Sequence, residues 1–195
     1  MPTGKTVAAR NRLRIVAGEW GGRRLPFPDA RGLRPTAERV RETLFNWLRA
    51  EVAGARCLDL FAGSGALGLE AASRGAREVV CVERSRRVAG VLRENVERLD
   101  GGGRVSVAVA DARRYLDGPA SPFDLVFLDP PFSSSIIDPV CAGLEAGGWL
   151  SPRAFVYVER ALHGQAVTVP ASWGLWRHGS AGDVDYRLYQ RQIEE

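Results

Sequence analysis

From residue 56 onward, short apolar runs alternate with stretches whose apolar residues recur at helical spacing. RCLDLFA, REVVCVE, RVSVAVAD, FDLVFLD and AFVYVE read as strands, separated by helical segments such as ALGLEAASRG and SRRVAGVLRENVERL. Near-continuous hydrophobic strands between helices predict a parallel sheet covered on both faces. After residue 165, QAVTVP, WGLWRHG and DYRLYQRQ follow one another as strands with no helix between them, which predicts an antiparallel hairpin closing the sheet edge.

Upstream, RLRIVAGEWGGRRLPF holds two short strand-like pieces around the Gly21-Gly22 turn signal and reads as a small hairpin. LRPTAERVRETLFNWLRAEV then reads as a helix. Pro35 and Thr36 mark its start, Thr36 is the expected N-cap, and Val40, Leu44, Trp47 and Leu48 share one face. Arg39 and Arg41 fall elsewhere on that helix and are expected to face solvent or a ligand. The expected organisation is a basic arm with its hairpin over residues 1–33, then an α/β doubly wound body over residues 34–195 that opens on the helix.

Composition fits one domain with a real core: 195 residues, 45% of them hydrophobic and 26% charged. MPTGKTVAARNRLR contains no apolar leader segment, and nowhere do apolar residues run long enough to span a membrane, so a soluble, cytoplasmic protein is expected. Cys57, Cys81 and Cys141 are far apart, and His163 and His178 stand away from other ligand-type residues, so no metal is expected.

Charge is uneven. Residues 1–50 carry eleven basic and four acidic side chains, a balance of +7, whereas the remainder carries sixteen and nineteen, a balance of −3. A basic arm on a near-neutral body is the electrostatic footprint of a polyanion binder, although solubilising tails share it.

LDLFAGSGALGLE places Gly63, Ser64 and Gly65 between a strand and a helix, where glycines permit a tight turn and a close approach by a ligand. Gly63, Gly65 and Gly68 satisfy GxGxxG, and Glu83 follows at the end of the next strand, where an acid can hold a ribose diol. That loop serves a dinucleotide or S-adenosylmethionine equally. Asp59 within its strand and Asp111 at the end of the third favour the second, because carboxylates suit a cationic, amino-bearing ligand and oppose a pyrophosphate. Helix capping by Asp111 and backbone amides around Asp59 are the structural alternatives.

FDLVFLDPPF ends an apolar strand on Asp129, Pro130, Pro131 and Phe132, at the edge where open α/β sheets bind ligands. Successive prolines make a stiff corner. A carbonyl there and the Asp129 carboxylate can together accept both hydrogens of one planar NH₂ group, while Phe132 can stack on the base that carries it.

DPPF together with DLFAGSGALGLEA resembles the Rossmann-like class I S-adenosylmethionine methyltransferases that act on amino groups. With RIVAGEWGGRRL, LRPTAERVRETLFNWL and GDVDYRLYQRQ included, the chain resembles the bacterial 16S ribosomal RNA guanine-N2 methyltransferase family, small-subunit methyltransferase D. That resemblance implies a mostly parallel seven-stranded sheet with a C-terminal antiparallel hairpin and a small N-terminal β-hairpin. It implies methyl transfer from S-adenosylmethionine to the N2 amine of guanine 966 of 16S rRNA in an assembled 30S particle. The oligomeric state is left open, with a monomer favoured. Asp129 and the Pro130 carbonyl would orient the amine, with Pro131 and Phe132 completing the motif. Asp59, Phe61, Gly63, Ser64, Gly65, Glu83, Asp111 and Ala112 would surround the cofactor, and Arg34, Thr36 and Arg39 would contact RNA or cofactor near the entrance. Three rivals stand beside it: a DNA adenine-N6 methyltransferase, an NAD-dependent oxidoreductase and a noncatalytic RNA-binding assembly factor. The first lacks chain for a target-recognition region, the second leaves DPPF unused, and the third leaves both motifs unused.

Overall fold

The computed structural model describes residues 11–30, 33, 35–131 and 136–192. Two short strands, β1 (Asn11–Arg14) and β2 (Arg24–Phe27), pair antiparallel as the expected hairpin, and helix α1 (Glu38–Trp47) follows. Then come β3 (Arg56–Asp59), α2 (Ala66–Ser73), β4 (Glu78–Glu83), α3 (Arg86–Arg98), β5 (Val105–Val109), α4 (Ala112–Leu116), β6 (Phe123–Leu128) and α5 (Ile137–Ala146). β7 (Leu150–Ala161), β8 (Trp173–Ala181) and β9 (Val184–Arg191) complete the chain.

Seven strands form one sheet in the order β5-β4-β3-β6-β7-β9-β8. The five from β3 to β7 run parallel, and β9 pairs antiparallel with both β7 and β8. The chain therefore moves outward from β3 to β5 and then returns to the other side of β3, which puts the topological switch point between β3 and β6. Crevices at such points receive ligands.

Both faces are covered, which is why the parallel strands can be apolar throughout. One core gathers Leu13, Ile15, Trp20, Leu25 and Phe27 of the hairpin region, the apolar faces of α1 and α2, and Cys57, Phe127 and Tyr157 of the sheet. The other packs α5 against Leu58, Val126, Leu128 and Val156. Helix α3 shows the local logic: Ser85 caps it by accepting from the Val88 N–H, and Val88, Ala89, Leu92 and Val96 form its buried stripe. Among the described residues no helix is long and apolar enough to cross a membrane.

Three sequence expectations are corrected. Residues 165–170 are not a strand: Val167 and Val169 do pack inward, but the Thr168 N–H donates to Asp138 Oδ1 at 3.2 Å rather than to a ladder partner. Thr36 does not cap α1, whose N-cap is Ala37 with no side-chain bond. Arg41 does not face solvent; it is 1% exposed and paired with Glu70 at 3.1 Å.

Candidate active site

Four acids arrive at one edge of the sheet because each closes a parallel strand or follows it: Asp59 at the end of β3, Glu83 at the end of β4, Asp111 after β5 and Asp129 after β6. The register Asp59↔Phe127 and Leu128↔Val158 carries the row on to Glu159 of β7. Side chains alternate along a strand, so Asp59, Asp129 and Glu159 share the face that also carries Phe127 and Tyr157.

The glycine loop is built from close approaches. Gly63 and Gly65 adopt left-handed backbone, with φ of 51° and 82°. A Cβ on Gly65 would lie 2.5 Å from Leu92 Cδ1, and one on Gly68 would lie 2.6 Å from Cys81 Sγ. Small residues are therefore required both to turn the chain and to seat α2 on the sheet. Ser64 and Ala112 are buried, and Phe61 is partly buried against the second core.

Backbone amides hold the acids around this loop. Gly63 N–H donates to Glu83 Oε2 at 3.1 Å and Ser85 N–H to Glu83 Oε1 at 2.7 Å, fixing the carboxylate beside the turn. Gly68 N–H donates to Asp59 Oδ2 at 3.0 Å, while Asp59 Oδ1 is buried without a hydrogen-bond partner among the described residues. Burial pushes this carboxyl up to about 7 against the pull of the Gly68 amide. Asp111 caps α4 by accepting from the Arg113 N–H at 3.0 Å and stays half-buried. An orphaned buried oxygen, a fixed carboxylate and a crowded left-handed turn fit a ligand with ammonium, sulfonium and diol groups. A pyrophosphate would meet like charge.

The second half of the site is held differently. Thr36 Oγ1 donates to Asp129 Oδ2 at 2.8 Å, and Thr36 itself is 6% exposed. Burial raises the Asp129 carboxyl to about 6, with the Thr36 bond opposing the rise. Pro130 is buried and Pro131 exposed. Arg39 is exposed near the start of α1. Arg34 and Phe132 lie outside the described residues.

Sequence reading missed Glu159 and its partner Tyr157. Glu159 is 5% exposed and accepts from the Tyr157 hydroxyl at 2.8 Å. Burial, then the nearby Asp129 charge, raises it to about 8. In AFVYVE the acid looks like the polar end of a strand, and only the place of β7 beside β6 puts it next to Asp129. The signal that could find it is the one that marks Glu83 and Asp111, an acid closing an apolar strand. Among the described residues no His, Cys, Asp and Glu group could hold a metal ion.

The family described as Conserved hypothetical protein 95 matches residues 13–190 of the chain. Ribosomal RNA small subunit methyltransferase D of Escherichia coli (strain K12) is 47% identical over 182 residues, covering 93% of this chain and 91% of that protein. A solved Escherichia coli structure titled as a candidate methyltransferase, yhhF, is 44% identical with a TM-score of 0.88, covering 94% of this chain and all of that one. An RNA methyltransferase from Salinibacter ruber, solved in complex with S-adenosyl-L-homocysteine, shares the fold at 18% identity and a TM-score of 0.63, covering 83% of this chain and 96% of that one.

Proposed function

Given that this chain belongs to the ribosomal RNA small subunit methyltransferase D family, we propose that it methylates the exocyclic N2 amine of a guanine in 16S ribosomal RNA, with the assembled 30S subunit as substrate. The observation that carries the amine chemistry is the half-buried Asp129, pinned through one oxygen by Thr36 and standing on the same sheet face as the cofactor-side Asp59. The basic N-terminal quarter supports a polyanionic substrate.

Asp59, Glu83, Asp111 and the Gly63–Gly65 turn would hold S-adenosylmethionine, with Phe61, Ser64 and Ala112 beside them. When bound, this cofactor supplies an electrophilic methyl group on a sulfonium. Asp129 and the Pro130 carbonyl do the rest of the work by accepting the two amine hydrogens. Guanine's amine is a poor nucleophile because its lone pair is delocalised into the ring; two acceptors held in place let the nitrogen pyramidalise and aim that pair. The methylated nitrogen is a strong acid, and its proton passes to Asp129. Phe132 would stack on the base, while Arg34 and Arg39 would contact the RNA. With the Asp129 carboxyl near 6, this acceptor is ionised at neutral pH, and the rate is expected to fall as pH drops through that value.

Labelled S-adenosylmethionine supplied with unmodified 30S subunits, naked 16S rRNA and duplex DNA tests this reading. The expected product is N2-methylguanine in the 30S sample. Label in N6-methyladenine of DNA would instead establish the DNA enzyme, and no transfer to any guanine would end the proposal.

A further inference from the structure

We propose that Thr36 is a positioning residue for Asp129, set in place by the buried Arg41–Glu70 pair, so that the segment before α1 completes the amine-binding site. The inference rests on Asp129 being the amine acceptor.

The connection is continuous, and its central residues Thr36, Arg41 and Glu70 are buried. Glu70, 0% exposed, accepts from the Val16 N–H at 2.8 Å, the Ala17 N–H at 3.1 Å, Arg74 Nε at 2.8 Å and Arg41 Nη1 at 3.1 Å. Arg41 spends its other donors on two carbonyls, Nη2 on Arg14 at 2.9 Å and Nε on Thr36 at 3.1 Å. Thr36 Oγ1 then reaches Asp129 Oδ2 at 2.8 Å. One carboxylate on α2, the helix that opens from the glycine loop, thus fixes the hairpin, α1 and the hydroxyl that touches Asp129.

Two features separate this from ordinary packing. Thr36 is a capping residue type next to a helix start, yet α1 begins without a side-chain cap and the hydroxyl goes to Asp129. Leu33 extends the same segment over the cofactor side, where its Cδ1 would lie 2.8 Å from a Cβ on Gly63. Residues 33 and 36 therefore touch both halves of the site. Donation to Oδ2 fixes the carboxylate's rotation, assigns Oδ1 to the amine and favours the ionised form. Among the described residues, the other ionisable groups that face Asp129 are Asp59 from β3 and Glu159 and Tyr157 from β7, none of them a cation.

Thr36→Val keeps the shape and removes the donor; Thr36→Ser restores it. The expected result for Thr36→Val is a kcat lower by about tenfold or more, the loss of one hydrogen bond to a charged group, with KM for S-adenosylmethionine unchanged. The acid limb of its pH–rate profile moves to higher pH, and Thr36→Ser recovers most of both. Carbon-13 NMR titration of the Asp129 carboxyl in substrate-free protein reads the same link without turnover, and its midpoint should rise in Thr36→Val. An unchanged titration with wild-type kcat overturns the proposal. So does a loss of rate with no shift in the profile and no rescue by serine, which marks a merely structural Thr36. If the wild-type protein transfers no methyl to guanine, the functional reading fails on its own, while the titration still decides whether Thr36 governs Asp129.

Discussion

The two halves of the site differ in how far along the chain each acid reaches for its support. On the side proposed to hold the cofactor, Asp111 is held from two residues away, Asp59 from nine and Glu83 from two and from twenty. On the side proposed to bind the amine, Asp129 is held by a hydroxyl 93 residues earlier. The first half is a strand–loop–helix device that carries its own scaffold. The second is a convergence of β6, β7 and the segment before α1, so its geometry depends on the whole domain being assembled. Cofactor binding is therefore expected to be the more robust of the two properties.

The sharpest way to break that contrast is Asp129→Ala. Methyl transfer should fall by about a thousandfold, in line with losing a preorganised group at the reacting atoms, while calorimetry with S-adenosylhomocysteine shows affinity close to wild type. A parallel fall in cofactor affinity would mean that the halves are not separable.

Glu83→Ala is the reciprocal change. It removes a fixed carboxylate and two backbone bonds, and the cofactor Kd should weaken by about 10- to 100-fold, the range for hydrogen bonds to a charged group. The NMR titration of Asp129 should stay in place. A smaller effect is expected for Gly68→Ala, whose new methyl would meet Cys81 Sγ at 2.6 Å. Overpacking of this kind costs about 1–3 kcal/mol, visible as a lower urea midpoint with the pH–rate profile unmoved.

The last test probes the amine half through pH. Glu159 has a folded-state carboxyl raised to about 8 from an ordinary value of 4.5, so the folded protein binds its proton more tightly than the unfolded chain. Its contribution to stability is present in full below the ordinary value and is lost as pH rises through about 8. Glu159→Gln should therefore flatten the decline of urea stability across that window, leaving the variant relatively more stable at the alkaline end. An identical pH dependence in both proteins would show that Glu159 does not feel its burial. Because Asp129 is the charge that raises Glu159 after burial, Asp129→Asn should also lower the Glu159 titration.

Much of the cofactor half was legible because its signals are periodic or local. Apolar runs located β3 to β7, glycines marked the turn, and acids at strand ends marked the ligand edge. The amine half was legible only in part. DPPF names the acid but nothing about its neighbour, and Thr36 reads as a cap it does not form, since sequence shows capping chemistry without showing a competing acceptor. Arg41 reads as outward-facing because an arginine beside an apolar stripe normally reaches water; Glu70, 0% exposed, reverses that. Residues 165–170 have the right alternation but form no ladder: Val167 and Val169 pack inward, and the Thr168 N–H goes to Asp138.

By itself, then, the sequence determined the α/β alternation, the glycine turn and the acids on the carboxyl edge, since each follows from residue type and spacing over a few turns or strands. Tertiary structure alone decided that Thr36 would grip Asp129, that Arg41 would be buried on Glu70, and that Glu159 would stand near Asp129. A polar side chain in a core is tolerated only with a partner, and the partner is chosen by strand order and helix packing, not by anything written next to it in the chain.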